Sequence, residues 1–134
     1  MIARFILAAF AAHALLLAQQ LKKTEVTPTS PTSGKEMYAH YCASCHGKEG
    51  KGDGPAAPAM KAAVTDLTRL TAKNKGKFPD LHVMHVIEGS DAMAAHGSSE
   101  MPIWGEVFRS TDGNAAAKAR IAALTTYVQS IQAK

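Results

Sequence analysis

The stretch Tyr38-Ala39-His40-Tyr41-Cys42-Ala43-Ser44-Cys45-His46-Gly47 decides how the rest of the chain is read. Two cysteines separated by two residues, with a histidine directly after the second, have the spacing of a c-type haem attachment site. Each member has a chemical reason to be there. The two thiols can form thioether bonds to the vinyl groups on one edge of a haem, and His46 can then offer an imidazole nitrogen to the iron. On a helix, residues 42, 45 and 46 lie three and four apart and share one face, so a single turn can hold the macrocycle at three points. The bland readings are weaker. A structural zinc site needs four ligands, and the chain has only two cysteines. A thioredoxin-like pair belongs in a βαβ setting, whereas these flanks are not strand-like. A plain disulfide leaves His46 unexplained.

Working outward, Ser33 and Glu36 fit a capping box that opens a first helix at about Lys35. Met37, Tyr38, Tyr41, Cys42 and Cys45 give it an apolar stripe, and Gly47 ends it. The glycine-rich run Gly47 to Pro55 follows no strand, so a phosphate-binding loop is a poor reading; glycines here are expected to let backbone pass close to a flat cofactor. Asp66-Leu67-Thr68 reads as a short helical start. Pro79 to Glu88 reads as a helix with Leu81, Val83, Met84, Val86 and Ile87 apolar, closed by Gly89. Asn114 to Gln132 is the clearest helix, with Ile121, Leu124, Val128 and Ile131 in one stripe and Tyr127 alongside. No stretch alternates with period two. The fold class is all-α.

With 134 residues there is room for one domain. Residues 1–18 have the layout of a secretory signal peptide: Arg4, an apolar run from Phe5 to Leu17 broken by His13, and a small residue at Ala18. An uncleaved anchor is the rival, but polarity returns at Gln19, short of the roughly 20 apolar residues a spanning helix needs. Residues 19–33, rich in Pro, Thr and Ser, read as a linker, and 34–134 as the domain. Lys and Arg number 15 against 11 Asp and Glu, a formal net charge of +4. Lys48, Lys51, Lys61, Lys73, Lys75 and Lys77 fall between the two presumed ligand segments, with fewer acids among them.

The Tyr38–Gly47 stretch resembles class I cytochromes c. Gly50-Lys51-Gly52-Asp53-Gly54-Pro55, Phe78-Pro79, His96-Gly97, Met101-Pro102-Ile103-Trp104-Gly105 and the terminal Tyr127-Val128 helix resemble successive landmarks of bacterial monohaem members. The resemblance covers Lys35 to Gln132. It implies a small cytochrome c fold in which the N- and C-terminal helices cross and pack around one covalently attached haem c. It also implies a methionine as sixth iron ligand on a loop before the last helix. Only Met101 matches, and Pro102 suits a stiff ligand loop; His96 is the rival. A thioether is a soft neutral ligand that favours ferrous iron and raises the potential. Met37, Met60, Met84 and Met93 read as core filler, and His40, His82 and His85 as surface histidines. In the family a proline carbonyl accepts a hydrogen bond from the proximal histidine's other nitrogen. Pro55 matches it, with Pro58 as the alternative and an ordinary loop proline as the bland reading. Trp104 resembles the family tryptophan near a haem propionate, where its indole N–H can donate; core packing alone would also explain it.

The expected function is therefore that of an exported, periplasmic one-electron carrier rather than an enzyme, since filled axial positions leave no site for substrate. Its partners would be redox proteins, not nucleic acid, with membrane association only if residues 1–18 are retained. One alternative is a haem subunit of a periplasmic oxidoreductase complex. Another is a five-coordinate gas-binding haem protein, which requires Met101 off the iron. Four-helix proteins of that kind carry the motif near the C-terminus, unlike this chain.

Overall fold

The structure, a computed structural model, describes residues 28–90 and 101–133. The signal-peptide expectation therefore lies outside the described residues, as do His96 and Met93. Among the described residues there are helices and no strand, as the all-α expectation has it.

The first helix, α1 (34–46), is composite: Gly34–Met37 is α-helical, Tyr38–Cys42 is a π turn and Ala43–His46 is α-helical again. Ser33 caps it, its Oγ accepting from the Glu36 N–H at 3.3 Å. Glu36 does not return the favour; its carboxylate accepts from the Ser30 N–H at 3.3 Å, one turn further back. That tie draws the N-terminal arm onto the domain. Thr29 is buried and bonded to Tyr41, so packing begins at least five residues ahead of the expected boundary at 34. Gly47 closes α1 at φ 80°, a conformation that glycine adopts without strain.

Short 3-10 turns at Ala57–Ala59 and Leu67–Arg69 follow, the second capped by Asp66 and running into α2 (Leu70–Lys73). Helix α3 (Asp80–Glu88) ends on Gly89 in the left-handed region. Helix α4 (Trp104–Ser130) breaks at Gly113 (φ 80°, ψ 175°) into arms 104–112 and 114–130. The second arm is the expected helix. The first is additional: Ser110-Thr111-Asp112-Gly113 has turn composition, yet the Ser110 and Thr111 hydroxyls bond back to the Val107 carbonyl and finish a helix rather than preventing one.

The N- and C-terminal helices cross where Gly34 meets Ala123; a Cβ at Gly34 would fall on the Ala123 carbonyl. Tyr38 and Tyr127 pack alongside at 5.0 Å between ring centroids. The core joins Met37 and Tyr38 of α1, Val83 and Ile87 of α3, and Phe108, Ala117, Ile121, Leu124 and Val128 of α4, with Phe78 at its edge. Each large side chain so buried contributes about 1.5–3 kcal/mol. Leu81, apolar like Val83 and Ile87, is 63% exposed. It lies roughly 200° around the helix from Val83, on the opposite face. At the C-terminus, Gln132 donates to the Leu67 carbonyl and accepts from the Thr71 N–H, stapling the 67–71 segment to the end of α4.

Candidate functional site

Cys42, Cys45 and His46 occupy the last turn of α1, all half-buried. Both thiols are free. Burial, and secondarily the neighbouring Cys45, push the Cys42 thiol up to about 12. The His46 ring places Nδ1 3.1 Å from the Thr65 carbonyl. A carbonyl can only accept, so Nδ1 carries the proton and Nε2 keeps its lone pair. Burial lowers the affinity of this ring for a second proton, and the Thr65 bond opposes that in part. Cys42 one helical turn before His46 and Cys45 directly before it, not joined in a disulfide, beside an imidazole with its Nε2 lone pair available, fit a covalently held haem. Among the described residues no group of three or more His, Cys, Asp or Glu could hold a bare metal ion.

The glycine-rich loop explains how this turn is held. Leaving Gly47, the chain doubles back along the end of α1. The N–H groups of Gly52, Gly54 and Ala56 donate to the carbonyls of His46, Cys45 and Ser44 at 2.8, 3.1 and 2.9 Å. Tyr38, deep in the core, donates its hydroxyl to the Gly47 carbonyl at 2.8 Å. A Cβ at Gly54 would strike the Ser44 backbone, and one at Gly52 the Val64 carbonyl. At these two positions the close approach is to the chain's own backbone.

The same geometry corrects the expectation for Pro55. Its neighbours Gly54 and Ala56 are tied to Cys45 and Ser44, Pro55 itself is exposed, and the His46 Nδ1 meets another carbonyl. Pro58 is exposed too. The chain reaches His46 ten residues after Pro55, where Val64-Thr65 lies against Gly52 and the Leu67 N–H is bonded to Gly50 at 2.7 Å. Thr65 supplies the carbonyl assigned to Pro55.

Met101 is half-buried and precedes α4 by three residues. The chain on either side of the segment that carries it is pinned by two close approaches: Ile103 covers Gly89, and Gly105 lies against the Glu88 backbone. Arg109 and Glu88 add an ion pair at 3.6 Å. Trp104 is half-buried, 5.2 Å from Tyr41 and 5.7 Å from Phe108 between ring centroids, and so bridges α1 and α4. Met37 is wholly buried core, Met60 and Met84 are half-buried, and His40, His82 and His85 are exposed.

Sequence reasoning missed Arg120. It is buried, pairs with Asp112 across the Gly113 break, and donates to the Thr29 hydroxyl at 2.8 Å and the Met37 sulfur at 3.4 Å. Its guanidinium also sits 5.6 Å from the Phe108 ring centroid. The available signal was a charge at a position flanked by Ala117, Ile121 and Leu124, on the buried stripe.

Searches among curated proteins and among solved structures returned no match. A family model described as cytochrome C oxidase, cbb3-type, subunit III matches residues 29–128, from the buried Thr29 of the arm to Val128 of α4. That span takes in both halves of the helix crossing, the CxxCH turn and the carbonyl on its histidine: the chain belongs to this family and is a class I c-type cytochrome.

Proposed function

We propose that the protein is an exported monohaem cytochrome c, carrying one electron at a time between periplasmic or membrane redox partners. The observation that carries this reading is the His46 turn, where a backbone carbonyl fixes the imidazole tautomer beside two free thiols. Haem, when bound, supplies the Fe(II)/Fe(III) couple. Cys42 and Cys45 would tether it, His46 would ligate through Nε2, and the Thr65 carbonyl would orient the ring and raise its basicity. Met101 would be the sixth ligand, and Trp104 would pack near the cofactor.

Two measurements test this. Acid-acetone extraction should leave the haem on the wild-type protein, and loss of either cysteine should prevent stable holoprotein. Met101→Ala should lose the far-red iron–sulfur charge-transfer band and let the ferrous form bind carbon monoxide. A band unchanged in Met101→Ala would overturn the Met101 assignment, and a wild type without the band whose ligation is lost in a His96 variant would return the sixth position to His96.

The family description favours a second reading, that of a haem subunit resident in an oxidase complex. A native-size measurement on detergent-solubilised membranes separates the two: a carrier runs alone, a subunit runs with a far larger assembly.

A further inference from the structure

We propose that the buried Arg120 is a positioning residue for the sixth iron ligand: it latches the 104–112 arm of α4, and with it the Met101 segment, against the haem-binding turn. The inference rests on the Met101 reading above. The arm is set off from the rest of α4 by the break at Gly113. That bend is exposed, and a Cβ there would meet nothing within 4 Å among the described residues, so packing at the bend does not fix its angle. Against α3 the arm has the close approach of Gly105 to Glu88 and the Arg109–Glu88 pair. The pair is more than a third exposed on both sides, which makes it a weak tie.

Arg120 lies on the far side of the break, and its guanidinium reaches the arm by three routes. Nε and Nη2 both meet the carboxylate of Asp112, the last residue before Gly113, at 2.7 and 2.6 Å. The guanidinium carbon sits 5.6 Å from the ring centroid of Phe108, one turn nearer the start of the arm. Nη1 donates to the Thr29 hydroxyl at 2.8 Å, and that hydroxyl shares a second hydrogen bond of 2.8 Å with the Tyr41 hydroxyl. The Tyr41 ring packs 5.2 Å from Trp104 and 5.7 Å from Phe108. Trp104 opens the arm three residues after Met101, and Tyr41 directly precedes Cys42. The arm is thus gripped at its end, its middle and its start. Its start is held beside a cysteine that would carry the haem.

The haem site described above makes no direct use of a charge at position 120. Arg120 stands on the stripe of Ala117, Ile121 and Leu124, where an apolar side chain would bury without electrostatic cost. A guanidinium does there what a methionine cannot. Its planar fork joins the two arms of α4 to the N-terminal segment at Thr29, three stretches that the chain itself leaves apart.

The test is the rate at which added imidazole replaces the thioether in the ferric holoprotein, followed by loss of the far-red iron–sulfur band. The thioether leaves the iron and an imidazole nitrogen takes its place with no electron transferred, so the rate reports how often the Met101 segment opens. Arg120→Met should speed the exchange about tenfold. Gly34→Ala, which strains the crossing of α1 and α4 instead of the arm, should lower the unfolding midpoint yet leave the exchange near wild type, because a local opening does not pass through global unfolding. Thr29→Val removes the hydroxyl that links Arg120 to Tyr41 and leaves the Asp112 pair in place; it should speed the exchange about threefold, and Thr29→Ser should keep the wild-type rate. That second pair tests the latch even where Arg120→Met does not fold. Equal acceleration in Gly34→Ala and Arg120→Met reduces the effect to lost stability and overturns the inference. An unchanged rate in Arg120→Met overturns it too, as do identical rates in Thr29→Val and Thr29→Ser. A wild type without the far-red band, or a band that persists in Met101→Ala, brings down the Met101 reading itself, an outcome distinct from these.

Discussion

Removing Asp112 should damage this protein more than removing Arg120, although each breaks the same ion pair. The Arg120 side chain is 7% exposed and that of Asp112 is 31% exposed. In Asp112→Ala the guanidinium stays in the core with the Thr29 hydroxyl and the Met37 sulfur as its remaining acceptors. A buried charge stripped of its counter-ion costs about 3–5 kcal/mol. In Arg120→Met the stranded carboxylate reaches water, and the methionine refills part of the space between Met37 and Phe108. The loss is then the hydrogen bonds, about 1–2 kcal/mol. The double variant should recover most of the Asp112→Ala deficit, because no buried charge remains. Guanidinium unfolding of the holoproteins, followed by far-ultraviolet circular dichroism, measures all three. For a domain of this size each kcal/mol is worth about 4 °C or more in Tm. If Arg120→Met proves as costly as Asp112→Ala, or the double variant is additive, the buried guanidinium is not the dominant electrostatic liability and the reasoning fails.

Three further outcomes are expected. Gly34→Ala presses a methyl group onto the Ala123 carbonyl and should cost about 1–3 kcal/mol, as overpacking does, by opening the helix crossing; an unchanged unfolding midpoint would show that the crossing yields freely. Gly52→Ala is strained at φ 81° and pushes Val64-Thr65 away from His46, so the Nδ1 proton should exchange faster in NMR and the potential should rise as the imidazole loses basicity; unaltered exchange would detach Gly52 from the histidine. Asp66 is held below the usual carboxylate range, chiefly by the Thr68 hydroxyl. A depressed carboxylate contributes stability that is present above its unfolded value and lost as pH falls through its folded value. The Leu67–Arg69 turn should therefore loosen on acidification below the ordinary carboxylate range, seen as faster exchange of the Thr68 amide, and it should not loosen in Asp66→Asn.

The features legible in the sequence are those governed by residues close together in it. The CxxCH turn, the Ser33 cap, the Gly47 and Gly89 stops and the Ile121-Leu124-Val128 stripe each depend on spacing of a few residues, and each stands in the structure. The misses depend on distant partners. Thr65 is a backbone acceptor nineteen residues from His46, and a carbonyl leaves no mark in a sequence; Pro55, nine residues after His46, carried a family signal, yet the carbonyl that meets the ring comes ten residues later. Arg120 broke the apolar stripe, yet its partners Thr29 and Asp112 lie in segments of linker and turn composition. The 104–112 arm was hidden for the same reason, since Ser110 to Gly113 has the composition of a turn and ends a helix.

The doubling-back of the loop along α1 has an electrostatic consequence. A helix gathers negative partial charge at its C-terminus, and His46 sits on that last turn. Left bare, those carbonyl oxygens would place negative potential beside the His46 ring. Gly52, Gly54 and Ala56 answer three of them with the positive ends of peptide N–H groups. Because these paired groups are backbone and partly enclosed, salt screens them poorly and surface substitutions do not reach them. The potential around the end of α1 is thus set by the path of one loop, and a side chain added at Gly54 would disturb it from within.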